Sequence, residues 1–401
     1  MPKLLIKTFQ GLEPVLAREL EALGADNVQP VSRGVLCEGG TRLLYRANLE
    51  LRTGLRVYYH LFDCDARTDY ELYRGVGDYD WSEHLRTEGT LYVTSTAVQT
   101  DWIENTMIAT LKTKDAIVDR MREGERRPNV DRDQPDLRVH TYVHRGHASV
   151  YLDSTGDPLF KRGYRLRSVA APINEVLAAG ILGLAGYNAA TPLVDPMCGG
   201  GTFAIEAARM ALNVPAQSER RFFAFMTWPD FDEGLWRVVR QQGLSRINRD
   251  VIAPIIASDS DWKAIRAAEQ NVREAGLSKH IELHEANLFD VSAPYDRGML
   301  LFNPPYNERL GLAEGEDYYS EVGRALKFDW PGWEAYVISG FIDGLYAMGL
   351  TPKRKYKLDN GGIPAELWHM PLYAGSKRGD VVAGDDEDDS TRERVGGGAG
   401  A

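Results

Sequence analysis

From about Pro172 onward the chain alternates helical segments with near-continuous apolar runs: "TPLVDP", "APIIASD", "HIELHEAN", "GMLLFNPPY" and "EAYVISG". A strand that is apolar on both faces must be covered on both faces, and strands separated by helices pair in parallel. The feature therefore restricts this half of the chain to a doubly wound α/β sheet. In such a sheet, ligands bind beyond the carboxyl ends of the strands, near the point where strand order reverses. Residues at those ends are the candidates for chemistry.

Upstream the pattern differs. Residues 1–65 read as strand "KLLIKTF", helix "LEPVLARELEALG", strand "GVLCEG", helix "LLYRANLELRTG" and strand "RVYYHLF". The first helix carries Val15, Leu16, Leu20 and Leu23 on one stripe and stops at Gly24. Residues 66–165 continue with the alternating strand "TLYVTSTAV", the helix "NTMIATLKTKDAIVDRMRE" and the strands "LRVHTYVHRG" and "HASVYLDSTG". Both stretches are expected to be compact α+β modules. Residues 166–379 form the α/β domain, and the acidic, glycine-rich, aromatic-free tail 380–401 is expected to be disordered.

A length of 401 residues allows two or three cores. No apolar run approaches the roughly 20 residues of a membrane helix, and the amino-terminal stretch lacks a signal peptide's hydrophobic segment, so a cytoplasmic location and no membrane partner are expected. Cys37, Cys64 and Cys198 are too far apart for a CxxC site and odd in number, which leaves neither a disulfide framework nor a metal site. The net charge of −11 does not exclude a nucleic acid, because the tail alone holds seven acids against two bases. Basic clusters survive elsewhere, as "KRGYRLR" (161–167) and "KRKYK" (353–357). Each reads either as a solvated face or as an RNA contact; Arg162, Tyr164 and Arg165 are the RNA-binding candidates.

The strand ends carry the chemistry. The first ends at Asp195 and enters "DPMCGGGTF", where Gly199, Gly200 and Gly201 let a ligand approach the backbone and the helix after Thr202 offers free N–H groups. Pro196 and Cys198 share that loop. It lacks the lysine of the GxxxxGK[ST] phosphate loop and the spacing of the dinucleotide fingerprint, so ATP and NAD are disfavoured. The second strand ends at Asp259, placed to accept hydrogen bonds from ribose hydroxyls, with Asp261 capping the next helix. After the third strand stands Asn287, an acceptor for an adenine edge. Together these describe a nucleoside without a triphosphate.

The fourth strand runs into "NPPY", residues 303–306. Prolines cannot donate to a ladder and fix their own φ, so the strand stops at Asn303 and leaves rigid backbone behind it. The Asn303 side-chain oxygen and the Pro304 carbonyl are then two fixed acceptors suited to a flat –NH2 group; Pro305 stiffens the turn and Tyr306 offers a face for a planar ring. An amine presented to a sulfonium methyl about 3 Å away needs positioning more than acid–base help.

"DPMCGGGTF" with "NPPYNERLG" resembles the class I S-adenosylmethionine-dependent methyltransferases that act on exocyclic amino groups. "KTKDAIVDRMR", "GERRPNVDRDQPDLRVHTYV" and the stretch from Tyr151 to Leu182 resemble the THUMP RNA-binding module joined to such an enzyme, and "FAFMTWPDFDEGLW" (Phe223–Trp236) resembles the insertion these enzymes carry between their first two strands. The subgroup it resembles methylates guanine N2 in 23S ribosomal RNA and carries a ferredoxin-like unit ahead of THUMP. The resemblance implies S-adenosylmethionine as cofactor, contacts from Asp195, Gly199 and Gly201, ribose binding by Asp259, and a base held by Asn303 to Tyr306. Two departures stand out: Gly200 replaces a usual serine and Asn287 a usual aspartate, which implies weaker cofactor affinity at most. Transfer RNA, an adenine amino group in nucleic acid, and an RNA-binding protein with an inactive domain are the alternatives. A sulfur-transfer reading lacks its SGGxDS loop. Removing residues 1–165 is expected to spare cofactor binding.

Overall fold

The computed structural model describes residues 1–167, 172–248, 252–305 and 312–373. The acidic tail, and Tyr306 of the NPPY stretch, lie outside the described residues. The strands are β1 (Lys3–Lys7), β2 (Asp26–Val31), β3 (Gly34–Glu38), β4 (Arg56–Asp65), β5 (Thr90–Val98), β6 (Asn129–Val130), β7 (Leu137–His144), β8 (His147–Asp153), β9 (Leu193–Asp195), β10 (Ile255–Asp259), β11 (Glu282–Glu285), β12 (Met299–Phe302), β13 (Glu334–Ser339), β14 (Arg354–Asn360) and β15 (Ile363–Pro371). The helices are α1 (Glu13–Ala22), α2 (Thr41–Glu50), α3 (Asp69–Gly77), α4 (Thr106–Arg120), α5 (Glu175–Ala185), α6 (Thr202–Ala211), α7 (Glu233–Ser245), α8 (Trp262–Glu274), α9 (Leu312–Asp329) and α10 (Ile342–Ala347).

The first eight strands make one sheet in the order β2-β3-β1-β4-β8-β7-β5-β6. The two α+β modules expected from sequence are thus continuous through β4, which pairs with β1 on one side and β8 on the other. The boundary drawn at residue 65 falls at the end of the strand that joins them. Pro30 sits in β2, at the sheet edge, where a missing backbone donor costs no ladder bond.

The second sheet runs β11-β10-β9-β12-β13-β15-β14. Its first five strands are parallel, as the apolar pattern requires, and β9 lies between β10 and β12, so the order reverses there. Every residue of β9 and β12 is buried. The antiparallel hairpin β14–β15 extends this sheet and is absent from the sequence reading. Its signal was "NGG" at 360–362, where Gly361 and Gly362 both have positive φ, the conformation of a tight hairpin turn.

The amino-terminal sheet unit is docked on the second domain. Leu12, beside α1, joins the apolar core between α5 and the parallel sheet, and a Cβ at Gly180 would stand 2.4 Å from Leu12 Cδ1. Gly11, at φ +88°, lies against β14, where a Cβ would meet the Lys357 carbonyl at 2.4 Å. The insertion packs Phe223, Phe225 and Trp236 against Tyr45 of α2; the Tyr45 and Phe225 rings stack at 4.5 Å. Arg33 closes the contact with an ion pair to Asp359 at 2.8 Å.

Candidate active site

A cleft of about 1130 Å³ opens at the carboxyl ends of β9, β10, β11 and β12, at the point of strand reversal. Its wall contains Pro196, Met197, Cys198, Gly199, Gly200 and Thr202 from the loop after β9, Asp259 and Asp261 after β10, Asn287 after β11, and Asn303, Pro304 and Pro305 after β12. Four separate strand ends therefore bring these residues to one cavity.

The glycine loop is held by Asp259. Its Oδ2 accepts from Gly199 N at 2.9 Å and its Oδ1 from Asp261 N at 3.0 Å. Each carboxylate oxygen keeps a further lone pair for a ligand hydroxyl. Gly199 is at φ +53°, in the left-handed region, which favours glycine here. Asp261 caps α8 through Lys263 N at 2.9 Å, as expected. Asn287 caps a short helical turn by accepting from Phe289 N at 3.2 Å, which leaves one lone pair of the same oxygen and the amide NH2 available.

Asp195 is placed differently from the expected cofactor contact. It is buried behind the loop, outside the cleft wall, with Oδ1 accepting from Met197 N at 3.3 Å and Oδ2 buried without a partner. Burial, joined by the Asp259 charge, holds its carboxyl well above the usual range. It shapes the loop from behind. Gly201 also turns from the cleft: at φ +79° it starts α6 and faces Ala268 of α8, to which a Cβ would come within 3.3 Å. Burial, with Asp195 and Asp259 nearby, pushes the Cys198 thiol well up, so it stays protonated and behaves as a small apolar side chain.

At the other end of the cleft, Asn303 Oδ1 is buried with no hydrogen-bond partner among the described residues. The backbone around it is braced: the Tyr319 hydroxyl on α9 donates to the Pro305 carbonyl at 3.4 Å and shares a 2.7 Å hydrogen bond with Ser339 Oγ at the end of β13. Tyr318, the preceding helical residue, enters the cleft wall, packs edge-on against Phe289 and reaches Met197 Sδ at 3.6 Å. Burial, with Asp259 nearby, pushes its phenol up to about 12. Neither Tyr318 nor Phe341, also in the wall, carried a sequence signal; aromatics in or beside a helix read as core.

The RNA-binding reading of "KRGYRLR" is overturned for Arg162 and Tyr164. Arg162 and Tyr164 are 2% and 3% exposed, and an RNA backbone cannot reach them. Arg162 donates to the Leu159 and Arg52 carbonyls at 2.6 and 2.5 Å and pairs with Glu206 at 3.6 Å; the Tyr164 hydroxyl donates to the same Glu206 at 2.9 Å. Arg165 is committed to Glu175 at 2.7 Å and to Thr202 Oγ1, at the start of α6, at 3.1 Å. The segment is a strut between the amino-terminal unit and the glycine loop. Deleting residues 1–165, which is expected to spare cofactor binding, would also remove the partners that Glu206 and Glu175 have in this strut.

Asn271 on α8, unmarked in the sequence, completes the strut. Its Nδ2 donates to Gly200 O and Arg167 O, and its Oδ1 accepts from Leu166 N and Arg167 N, all within 3.0–3.2 Å.

Residues 162–368 match the RMKL-like methyltransferase domain, residues 3–58 the RlmL ferredoxin-like domain, and residues 66–153 the THUMP domain. The chain is 37% identical to a Synechocystis protein named an RNA methyltransferase, over 91% of this chain and 95% of that one. It is 39% identical to ribosomal RNA large subunit methyltransferase K/L of Magnetococcus marinus, over 89% of this chain but 51% of that protein, so it spans about half of that relative. A methyltransferase crystallised with S-adenosylhomocysteine superposes with a TM-score of 0.84 at 30% identity, covering 94% of this chain and 99% of the other. The loop fits such a cofactor: glycine backbone lines the wall, and the Asp259 carboxylate stands beside it with a free lone pair on each oxygen. The chain belongs to the RMKL-like family of S-adenosylmethionine-dependent methyltransferases.

Proposed function

We propose that this protein methylates the exocyclic amino group of a guanine in RNA, in the cytoplasm, with 23S ribosomal RNA as its substrate. The observation that carries the reading is the Asn303 side-chain oxygen, a buried acceptor without a partner in the wall of the cofactor cleft. A buried polar atom left unsatisfied costs roughly 1–3 kcal/mol, and an incoming –NH2 removes that cost.

When bound, the cofactor supplies an electrophilic methyl group on a sulfonium. Gly199 and Gly200 would flank its amino-acid portion, Asp259 would accept from the ribose hydroxyls, and Asn287 with Leu288 would meet the adenine. Asn303 Oδ1 and the Pro304 carbonyl, which accepts no hydrogen bond from the described residues, hold the two hydrogens of the target amine. Fixing them turns the nitrogen lone pair out of conjugation and toward the methyl. The cofactor would supply the methyl, and the amine held by Asn303 and Pro304 would give up one proton to solvent. No general base is required; Tyr318, the phenol among the described wall residues, is held protonated by burial. THUMP would bring a folded RNA to the cleft largely by shape and backbone contacts.

Incubation with labelled S-adenosylmethionine and large-subunit ribosomal RNA, followed by chromatographic identification of the modified nucleoside, tests this. N2-methylguanosine is the expected product. Label in N6-methyladenosine alone, or in transfer RNA alone, would reject the proposed substrate.

A further inference from the structure

Trp262 opens α8 at the mouth of the cleft, where its neighbours Asp261 and Ala264 line the wall. The indole is 50% exposed although burying it would be worth more than burying almost any other side chain. Two cations lean on it: the Arg266 guanidinium stands 5.2 Å from the ring centroid and the Lys263 ammonium 5.8 Å. One further turn along, Gln270 accepts from Arg167 Nε at 3.2 Å. Trp262, Arg266 and Gln270 recur at a spacing of four and so share one helix face. Arg167 carries that face across to the strut.

In a chain of net charge −11, carboxylates are plentiful. Yet among the described residues none of Lys263, Arg266 and Arg167 forms an ion pair, and the Asp261 carboxylate beside them is turned to backbone as the helix cap. The exposed face of α8 past Trp262 is polar, which offers little to an apolar protein interface. A flat aromatic surface edged by unpaired cations is what a single-stranded nucleic acid needs: a base stacks on the ring while phosphates meet the charges.

We propose that the stripe Trp262–Arg266–Gln270, with Lys263 and Arg167, binds a single-stranded segment of the substrate RNA next to the cleft, a nucleobase stacking on Trp262. This rests on the RNA reading above and adds a binding surface outside THUMP and outside the cofactor site.

The test uses the full chain and a fluorescein-labelled 12-nucleotide oligoadenylate, read by anisotropy, with S-adenosylmethionine affinity measured in parallel by calorimetry. Trp262→Ala should weaken oligonucleotide binding about 5- to 100-fold, the range for one stacked base, and leave cofactor affinity and melting temperature at parental values. Trp262→Phe should restore most of the loss. Lys263→Ala and Arg266→Ala should each lower the slope of log affinity against log salt by about 0.7. Parental oligonucleotide affinity in Trp262→Ala overturns the inference alone, as does a loss of cofactor affinity, which would place the indole in the cofactor site. A parent chain that binds cofactor and no RNA would overturn the inference together with the RNA reading.

Discussion

The Asn271 side chain on α8 donates to the Gly200 carbonyl at 3.0 Å and, through its other three bonds, fixes Leu166 and Arg167 of the strut. All four hydrogen-bonding positions of one buried amide are used. A Cβ at position 200 would come within 3.3 Å of Asn271 Nδ2, a tight but tolerable approach. The cofactor loop is thus held from the side by a residue that touches no part of the cleft.

Asn271→Ala should therefore leave three backbone groups without partners, lower stability by roughly 1–3 kcal/mol, and weaken S-adenosylmethionine binding several-fold. Calorimetric titration and thermal melting measure the two effects separately. Unchanged cofactor affinity would show that the loop holds its shape alone.

Asn303→Ala removes the acceptor for the target amine and nothing that faces the cofactor. Loss of one pre-positioned transition-state contact is worth about 10²–10³ in kcat, so turnover should fall at least a hundredfold while cofactor affinity stays within about twofold. Single-turnover kinetics with the modified RNA identified above check this; comparable rates would remove Asn303 from the mechanism.

Gly11→Ala tests the docking of the amino-terminal unit. A methyl there meets the backbone carbonyl of Lys357, which cannot rotate away, and the φ of +88° is strained for alanine. Destabilisation of roughly 1–3 kcal/mol is expected, visible as a lower melting temperature. A melting curve identical to the parent's would mean that this contact is loose in solution.

His140 supplies a pH dependence. It lies in the amino-terminal sheet, stacked on Tyr58 at 4.6 Å and bonded to Thr94 Oγ1 at 2.9 Å. Burial, with Lys7 and Arg56 nearby, brings its pKa down from 6.5 to about 4. Between those values the unfolded chain binds the proton and the folded chain does not, so this contribution is full above pH 6.5 and is lost as pH falls toward 4. It amounts to roughly 3 kcal/mol at most. Denaturant titrations should show stability dropping from pH 6.5 to 5 in the parent and less steeply in His140→Gln; equal slopes would assign the drop to other groups.

Much of the site is local and therefore legible in one dimension. A strand that stops at Asn303 before two prolines, a glycine loop after Asp195, and carboxylates at the ends of apolar runs follow from φ restrictions and strand periodicity, and the doubly wound sheet brings such ends to one edge by its topology. Arg162 and Tyr164 were misread, and Asp195 and Gly201 lie off the cleft wall, for one reason. Residue type says that a group can bond, whereas burial and direction, set by distant segments, decide to what. "KRGYRLR" has the composition of a basic surface, but Glu206, 42 residues beyond Tyr164, draws Arg162 and Tyr164 inside.

The sequence by itself determined the five parallel strands, the α/β class and the order of chemical groups along the strand ends, because these depend on interactions within a few residues. Only the tertiary structure decided that both amino-terminal modules share β4, that a strut from 162 to 167 braces the cofactor loop through Thr202 and Asn271, and that the Trp262 stripe stays in water. Each of those depends on pairing between residues far apart in the chain, and one sequence carries no record of which distant partner a side chain meets.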